Sequence, residues 1–174
     1  MAGAGSDFRE LCGADRFKEL MKMTSDHAVR ALNSLLPVCR TSEQGFQLAA
    51  MDVTDPELAR FFAECSAQRS KFVGELEDRV RLLREEPVKT GSPVAALHRR
   101  WMELKAALAD NQIHTVLAEC ERGEDGAVKA YVAALAEADV DDISRRLIQT
   151  QYEAVQAAHD RLRQLRDSAA YAYR

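Results

Sequence analysis

The most informative feature of the chain is a helical pattern of apolar residues. Apolar positions recur at steps of three and four, which is the spacing of one buried face of an α-helix. In the first stretch, for example, this face runs through Val29, Leu32 and Leu36. The pattern predicts four long helices, which cover about residues 24–53, 54–83, 110–135 and 143–169.

Residues that favour helix termini stand at the predicted boundaries. The segment from Thr24 to Asp26 has residue types that begin helices. Thr54 is the predicted N-cap of the second helix, with Glu57 completing a capping box and Pro56 in the first turn. The segment from Asp139 to Asp142 ends the third helix and opens the fourth, because acidic side chains favour a helix N-terminus.

The first 23 residues form a predicted N-terminal extension, and residues 24–172 form the bundle. Phe8, Leu11, Phe17 and Leu20 give the extension helical character, and Gly13 interrupts them. The pattern therefore predicts a short helix that docks on the bundle or on a partner. We expect the bundle to fold without it, since these apolar residues are few.

A long connection separates the second and third helices. Its residues 87–110 contain an amphipathic stretch from Val94 to Leu108, which predicts a short helix within the connection. Two helical hairpins joined in this way form an all-α, ferritin-like four-helix bundle with a helical crossover between helices two and three. The crossover makes those helices parallel. It therefore places Cys65 and Cys120 at one level, and Cys39 on the other side of the bundle centre.

Composition supports this fold and excludes some partners. Gly and Pro number only 8 and 4, and aromatic residues make up 6%, which favours helices over a β-sandwich. A net charge of −4 offers no basic surface for nucleic acid or an anionic membrane. No apolar stretch approaches the roughly 18 residues that span a bilayer, and the N-terminus lacks the pattern of a secretory signal. Four dispersed cysteines without a CxxC motif indicate reduced thiols in the cytoplasm.

Each apolar face has a polar gap near its middle. Glu43 interrupts the apolar face of the first helix, Gln68 or Arg69 that of the second, and Glu124 that of the third, while Gln151 and His159 flank Val155 on the fourth. The middles of bundle helices lie at similar heights, so these side chains are expected to face one another in a polar layer.

Two arrangements of this layer are consistent with the sequence. In the first, Glu43, Glu124 and His159 hold a metal ion. In the second, Arg69 bridges Glu43 and Glu124, and His159 is hydrogen-bonded nearby. Buried charge is costly unless it is paired or bound to a metal. We prefer the ion-pair arrangement, because the charge of an arginine in the layer cannot be removed and opposes a bound cation.

Histidine spacing argues against a tight di-iron centre. Carboxylate-bridged di-iron bundles use a Glu-x-x-His motif on each of two helices. The residues three positions before the four histidines are Thr24, Ala95, Asn111 and Gln156, so the motif is absent from the sequence. The expected cofactor content is therefore none, or at most one weakly bound divalent metal.

The crossover carries one further candidate site. His98 and Trp101 lie three residues apart in its predicted helix. They could line a small-molecule pocket beneath the crossover. The preferred interpretation is structural, with Trp101 anchoring the crossover and His98 at its edge.

Several short motifs carry a family resemblance over about residues 25–168. They are Leu32-Asn33-Ser34-Leu35, Gly45-Phe46 with Ala49-Ala50, Asp55-Pro56-Glu57-Leu58, Ala96-Leu97-His98-Arg99 with Trp101-Met102, Glu119-Cys120-Glu121-Arg122-Gly123-Glu124-Asp125, Lys129-Ala130-Tyr131, Gln151-Tyr152 and Ala157-Ala158-His159-Asp160-Arg161. Together they resemble an uncharacterised bacterial family of ferritin-like four-helix-bundle proteins, a domain of unknown function. The resemblance implies that fold and a bacterial cytoplasmic setting, without an activity. Gln44 and Met51 stand where the family pattern has Glu, which removes two candidate ligands.

Two functional hypotheses follow. The first is a non-enzymatic bundle with a stress-related or scaffolding role, which works through contacts with a protein partner or a second copy. The alternative is a metal-binding or redox protein with a reduced, non-ferroxidase site.

Overall fold

The computed structural model describes residues 6–89, 113–168 and 170–171 of the chain. These residues form four helices and no strand. The helices are α1 (Ser6–Asp52), α2 (Pro56–Leu82), α3 (Ile113–Ala136) and α4 (Asp142–Arg166). The all-α prediction is confirmed. The predicted crossover helix, with His98 and Trp101, lies outside the described residues, as does the predicted start of the third helix at Asp110 or Asn111.

Two clusters of buried apolar side chains fill the two ends of the bundle. The first, called here the arm-end cluster, comprises Ala28, Ala31, Leu32, Leu35, Leu36, Cys39, Phe72, Leu76, Val80, Ala127, Tyr131, Ala134, Val140, Ile148 and Val155. The second, the far-end cluster, comprises Phe46, Ala49, Leu58, Phe62, Cys65, Ile113, Val116, Leu117, Ala158, Leu162 and Tyr171. Each helix contributes to both clusters, so both span the bundle cross-section.

The clusters reveal the direction of each helix. α1 and α4 pass from the arm-end cluster to the far-end cluster, whereas α2 and α3 pass the other way. α2 and α3 are therefore parallel, as the predicted crossover requires. Cys65 and Cys120 lie together at the far end, and Cys39 lies in the arm-end cluster, which confirms the predicted levels.

The chain turns back along α1 as soon as α2 ends. Arg84 adopts a left-handed conformation with φ of 64° directly after Leu83, the C-cap of α2. The Val88 amide then donates to Asn33 Oδ1 at 3.1 Å, and Arg40 Nη1 donates to the Val88 carbonyl at 2.8 Å. The start of the long connection therefore runs from the arm end towards the bundle centre.

The predicted start of the first helix is wrong. α1 is continuous from Ser6 through the segment from Thr24 to Asp26, and Gly13 does not interrupt it. Thr24 Oγ1 donates to the Leu20 carbonyl at 3.0 Å, a bond within the helix that uses the hydroxyl a cap would need. Among the α1 side chains whose burial the structure describes, Ala28 is the first that is fully buried, and residues Ser6–Ser25 are called here the arm.

The predicted cap of α2 is displaced by one residue. Asp55, not Thr54, is the N-cap, because its Oδ1 accepts from the amides of Glu57 and Leu58 at 2.9 and 3.2 Å. The predicted boundary between α3 and α4 is confirmed. Asp141 caps α4 and also accepts from Arg79 Nη2 at 2.7 Å, which ties this turn to α2.

Candidate functional site

A buried ion pair lies between the two apolar clusters at the bundle centre. Arg69 on α2 and Glu124 on α3 are each only 1% exposed. Arg69 Nη2 donates to Glu124 Oε2, and Nη1 donates to Gln68 Oε1. α2 and α3 lie on a diagonal of the bundle, because the backbone of α1 lies close to both, whereas the described parts of the α2 and α3 backbones do not come close to each other. The ion pair therefore crosses the interior.

Two aromatic rings complete the surroundings of the Arg69 guanidinium. Its central carbon lies 5.9 Å from the Phe46 ring centroid and 5.4 Å from the Phe72 ring centroid. Guanidinium is delocalised and weakly hydrated, so aromatic faces stabilise it better than they would an ammonium group. These rings also close the layer on the far-end and arm-end sides, respectively.

The Glu124 carboxylate is held from two sides. Burial raises the pKa of Glu124, while the Arg69 charge and hydrogen bonds from Arg69 and Ser42 act in the opposite direction. Arg69 Nε is buried and has no hydrogen-bond partner among the described residues. The pair is thus strongly coupled, and loss of either charge would leave the other in an apolar environment.

A neutral hydrogen-bond chain lies next to the ion pair. Tyr131 Oη donates to Gln151 Oε1 at 2.8 Å. Cys39 Sγ lies 3.1 Å from Tyr131 Oη and donates to it, because the single hydroxyl proton is already used. Gln151 Nε2 donates to Glu75 Oε2 at 2.9 Å and to the Phe72 carbonyl at 3.5 Å. This chain connects a buried thiol to a half-buried carboxylate.

His159 lies at the rim of the bundle and not in the layer. Its Nε2 is 3.0 Å from Asp125 Oδ1 and its Nδ1 is 3.0 Å from Asp160 Oδ1. Burial lowers the pKa of His159, but the hydrogen bonds and charges of Asp160 and Asp125 outweigh that effect and raise the pKa overall. Through its contact with Asp125, His159 on α4 is linked to α3.

The predicted metal-ligand set is not assembled by the fold. Within the described ranges, no three histidine, cysteine, aspartate or glutamate side chains are arranged to hold a metal ion. Glu124 is paired with Arg69, and His159 bonds to Asp125 and Asp160. Glu43 is half-buried, and its backbone carbonyl accepts from Ser66 Oγ at 3.0 Å.

The alternative arrangement is correct in its main contact, Arg69 with Glu124, and wrong in the contact of Arg69 with Glu43. The structure contains the Arg69–Glu124 pair and places Gln68 and Gln151 beside it. No ion pair joins Arg69 to Glu43 in the described part of the chain, while His159 is hydrogen-bonded nearby, to Asp125 and Asp160. Ser42, Cys39 and Tyr131 complete the layer, although sequence reasoning counted Cys39 and Tyr131 as apolar positions and did not consider Ser42.

Helical spacing contains a signal that distinguishes these residues. Cys39, Ser42, Phe46 and Ala49 follow steps of three, four and three, which places Ser42 on the buried line and Glu43 one residue off it. Val155, Ala158 and Leu162 form the equivalent line on α4, and His159 is again one residue off. One residue is a rotation of about 100°, which is enough to move a side chain from the layer to the rim.

The sequence matches the profile of a protein family described as Domain of unknown function (DUF2383), over residues 27–137. The chain belongs to this family. The DUF2383 region covers α2, α3 and the packed part of α1, and it includes Arg69, Glu124, Cys39 and Tyr131. The arm precedes it, and Gln151 and His159 on α4 follow it.

Comparison with solved structures identifies the fold. A mutant of Mycobacterium smegmatis Dps1 matches with a TM-score of 0.65 and 12% sequence identity, covering 83% of this chain and 98% of that chain. This DUF2383 protein therefore has the ferritin-like fold. No curated protein matches the sequence.

Proposed function

We propose that this protein is a non-enzymatic ferritin-like bundle that works through protein contacts, in a stress-related or scaffolding role. The observation that carries the proposal is the buried Arg69–Glu124 pair. Metal-dependent bundles of this type bring carboxylates together around cations at their centre. Here the Arg69 guanidinium supplies the positive charge beside Glu124, in the place where such a bundle would hold a cation.

The buried thiols also favour a non-enzymatic role. Burial raises the pKa of Cys39 to about 11 and that of Cys65 to about 12, despite the opposing charge of Arg69. Burial also raises the pKa of Cys120. Thiolates are the nucleophilic form, and these groups are protonated near neutral pH. All three are free thiols, which supports the proposed cytoplasmic setting.

The proposed partner is a protein or a second copy of this chain, and not a membrane or a nucleic acid. No helix in the described residues is long and apolar enough to span a bilayer. The overall charge of −4 provides no excess of basic groups for phosphate contacts. Eight large apolar side chains of the described residues are instead exposed, and they offer contacts for another protein.

Metal content and iron oxidation test the proposal. We expect protein purified without chelator to contain less than one tightly bound metal per chain. We expect ferrous iron added in air to oxidise no faster with the wild type than with Glu124→Gln, which keeps the side-chain shape and removes the charge. Glu64→Gln is the matched control, because Glu64 is a largely exposed carboxylate on α2.

Two outcomes would favour the metal-binding or redox alternative. Two irons per chain, with oxidation abolished by Glu124→Leu and retained in Glu64→Gln, would overturn the non-enzymatic proposal. A single divalent ion lost on changing Glu43, Glu124 or His159 would instead establish a metal site at the residues that the sequence suggested.

A further inference from the structure

His27 lies on α1 just beyond the arm, next to the fully buried Ala28. Its Nδ1 is 3.1 Å from Oε1 of Glu137, the residue that follows α3, and 2.8 Å from Arg30 Nη2. Arg30 Nη2 also donates to the same Glu137 oxygen at 3.0 Å. Side chains from two parts of the fold therefore meet at one nitrogen of the imidazole ring.

The two contacts of His27 Nδ1 require opposite states of that atom. A guanidinium only donates, so its contact needs a lone pair on Nδ1, which exists in the neutral ring that carries its proton on Nε2. A carboxylate only accepts, so its contact needs a proton on Nδ1. Hydrogen bonds from Arg30 and His27 lower the pKa of Glu137, which keeps this carboxylate ionised near neutral pH. His27 Nδ1 can therefore bond to only one of the two side chains at a time.

We infer that His27 is a pH-dependent switch that exchanges Arg30 for Glu137 as the hydrogen-bond partner of its Nδ1. The neutral ring accepts from Arg30 at Nδ1 and carries its proton on Nε2. Protonation of the ring adds a proton at Nδ1, which donates to Glu137 and displaces Arg30. Histidine is suited to this exchange, because its unperturbed charge changes between about pH 5 and pH 8. The inference goes beyond the proposed function and does not depend on it.

Arg30 is the partner that moves in this exchange. Its side chain is 62% exposed, whereas those of His27 and Glu137 are 23% and 37% exposed. Arg145 on α4 holds the turn that carries Glu137, because its guanidinium donates to the carbonyls of Leu135 and Glu137 at 2.7 and 3.1 Å. The Glu137 carboxylate therefore stays within reach of His27 after Arg30 has moved into water.

The exchange changes the charge at the base of the arm. Arg30 and Glu137 balance each other when His27 is neutral, and protonation adds one positive charge to the three side chains. Asp26, the neighbour of His27 on α1, is exposed. In the described part of the chain, α2 sends no charged group into a hydrogen bond or ion pair with His27, and Arg145 of α4 contacts only backbone carbonyls of this turn. Acidification therefore releases an exposed guanidinium at the point where α1 meets the turn after α3.

Nitrogen NMR of the His27 ring in the full chain tests the exchange. In the neutral ring of the wild type, we expect the proton to lie mainly on Nε2. In Arg30→Met it should lie mainly on Nδ1, because Glu137 Oε1 at 3.1 Å becomes the partner of that atom. Glu137→Gln keeps Arg30 and should keep the proton on Nε2. A wild-type ring with its proton mainly on Nδ1, or the same tautomer in wild type and Arg30→Met, would overturn the inference.

The pH midpoint of the same signals provides a second measurement. It should fall by about half a pH unit in Glu137→Gln, which weakens the partner of the charged ring, and rise by a similar amount in Arg30→Met, which removes the partner of the neutral ring. Asp26→Asn is the matched control, since it removes an exposed carboxylate beside His27 and should move the midpoint less. His114, an exposed histidine on α3, is the internal reference and should not move. Shifts in one direction for both variants, or shifts no larger than that of Asp26→Asn, would contradict the exchange.

Crystal structures of the wild type test the movement of Arg30 without any substitution. They are determined at pH values well above and well below the measured midpoint of His27. At the higher pH, we expect Arg30 Nη2 to remain within hydrogen-bond distance of His27 Nδ1. At the lower pH, this contact should be lost, while the contact between His27 Nδ1 and Glu137 Oε1 is kept. Retention of the Arg30 contact at the lower pH would refute the switch.

Discussion

The polar layer and the rim of the bundle both hold charged side chains, but the layer is surrounded by apolar side chains and the rim is exposed to water. In the layer, Arg69 and Glu124 are almost fully buried and form an ion pair across the interior. At the rim, His159 is held between Asp125 and Asp160, whose side chains are 53% and 57% exposed. Water can replace a lost partner at the rim, whereas the apolar clusters offer no such replacement. Substitutions in the layer should therefore lower the free energy of unfolding more than substitutions at the rim.

The largest effect is expected from removing one charge of the buried pair. Glu124→Leu should lower the free energy of unfolding by about 3–5 kcal/mol, because Arg69 would be left buried and underpaired. Arg69→Met combined with Glu124→Leu should recover much of that loss. Chemical denaturation of the two single variants and the double variant measures the coupling. Additive losses in the double variant would show that the two side chains do not act as a pair.

A smaller effect is expected from breaking the neutral hydrogen-bond chain of Cys39, Tyr131 and Gln151 in the same layer. Tyr131→Phe keeps the ring and removes the hydroxyl, which leaves the Cys39 thiol and Gln151 Oε1 without their partner. We expect a loss of about 1–3 kcal/mol, the usual cost of an unsatisfied buried group. Tyr152→Phe is a suitable control, because among the described residues the Tyr152 hydroxyl makes only a 3.4 Å contact, with Gln156 on its own helix. Equal losses in the two variants would refute a special role for the buried chain.

A still smaller and pH-dependent effect is expected at the rim. The raised pKa of His159 means that its contribution is fully present below the unfolded value of about 6.5. It is lost as pH rises through the folded pKa. The stability difference between wild type and His159→Gln should therefore shrink as the pH rises from below about 6.5. A difference that stays constant or grows with pH would contradict the raised pKa of His159.

The smallest effect is expected from Arg84, an exposed residue in the turn after α2 for which the described part of the chain shows no ion pair. Arg84 follows the C-cap of α2 with φ of 64°, a conformation that glycine adopts without steric cost. Arg84→Gly should raise the free energy of unfolding by up to about 1 kcal/mol. Asp139→Gly should gain less, since aspartate tolerates the left-handed region better. Thermal unfolding of both variants makes the comparison, and destabilisation by Arg84→Gly would show that the Arg84 side chain contributes contacts of its own.

The periodicity of apolar residues was sufficient to predict the four helices, the direction of the second and third, and two residues of the polar layer. The steps of three and four identified the four helical faces, and the length of the connection after Pro87 predicted parallel second and third helices. Arg69 and Glu124 were predictable members of the layer, because both lie on the buried line of their helices. These features depend on local spacing, which the sequence displays directly.

Tertiary packing decided which polar side chains meet. Glu43 and His159 are each one residue away from a buried line, and only the packed helices show that His159 turns to Asp125 and Asp160 at the rim. Thr24 has the chemistry of a cap, but its hydroxyl bonds within a helix that continues through it. In the sequence, Tyr131 fits the apolar face of its helix, whereas the structure shows its hydroxyl donating to Gln151 Oε1. Sequence spacing gives the direction of a side chain around one helix, while its partner depends on the rotation and height of the neighbouring helices.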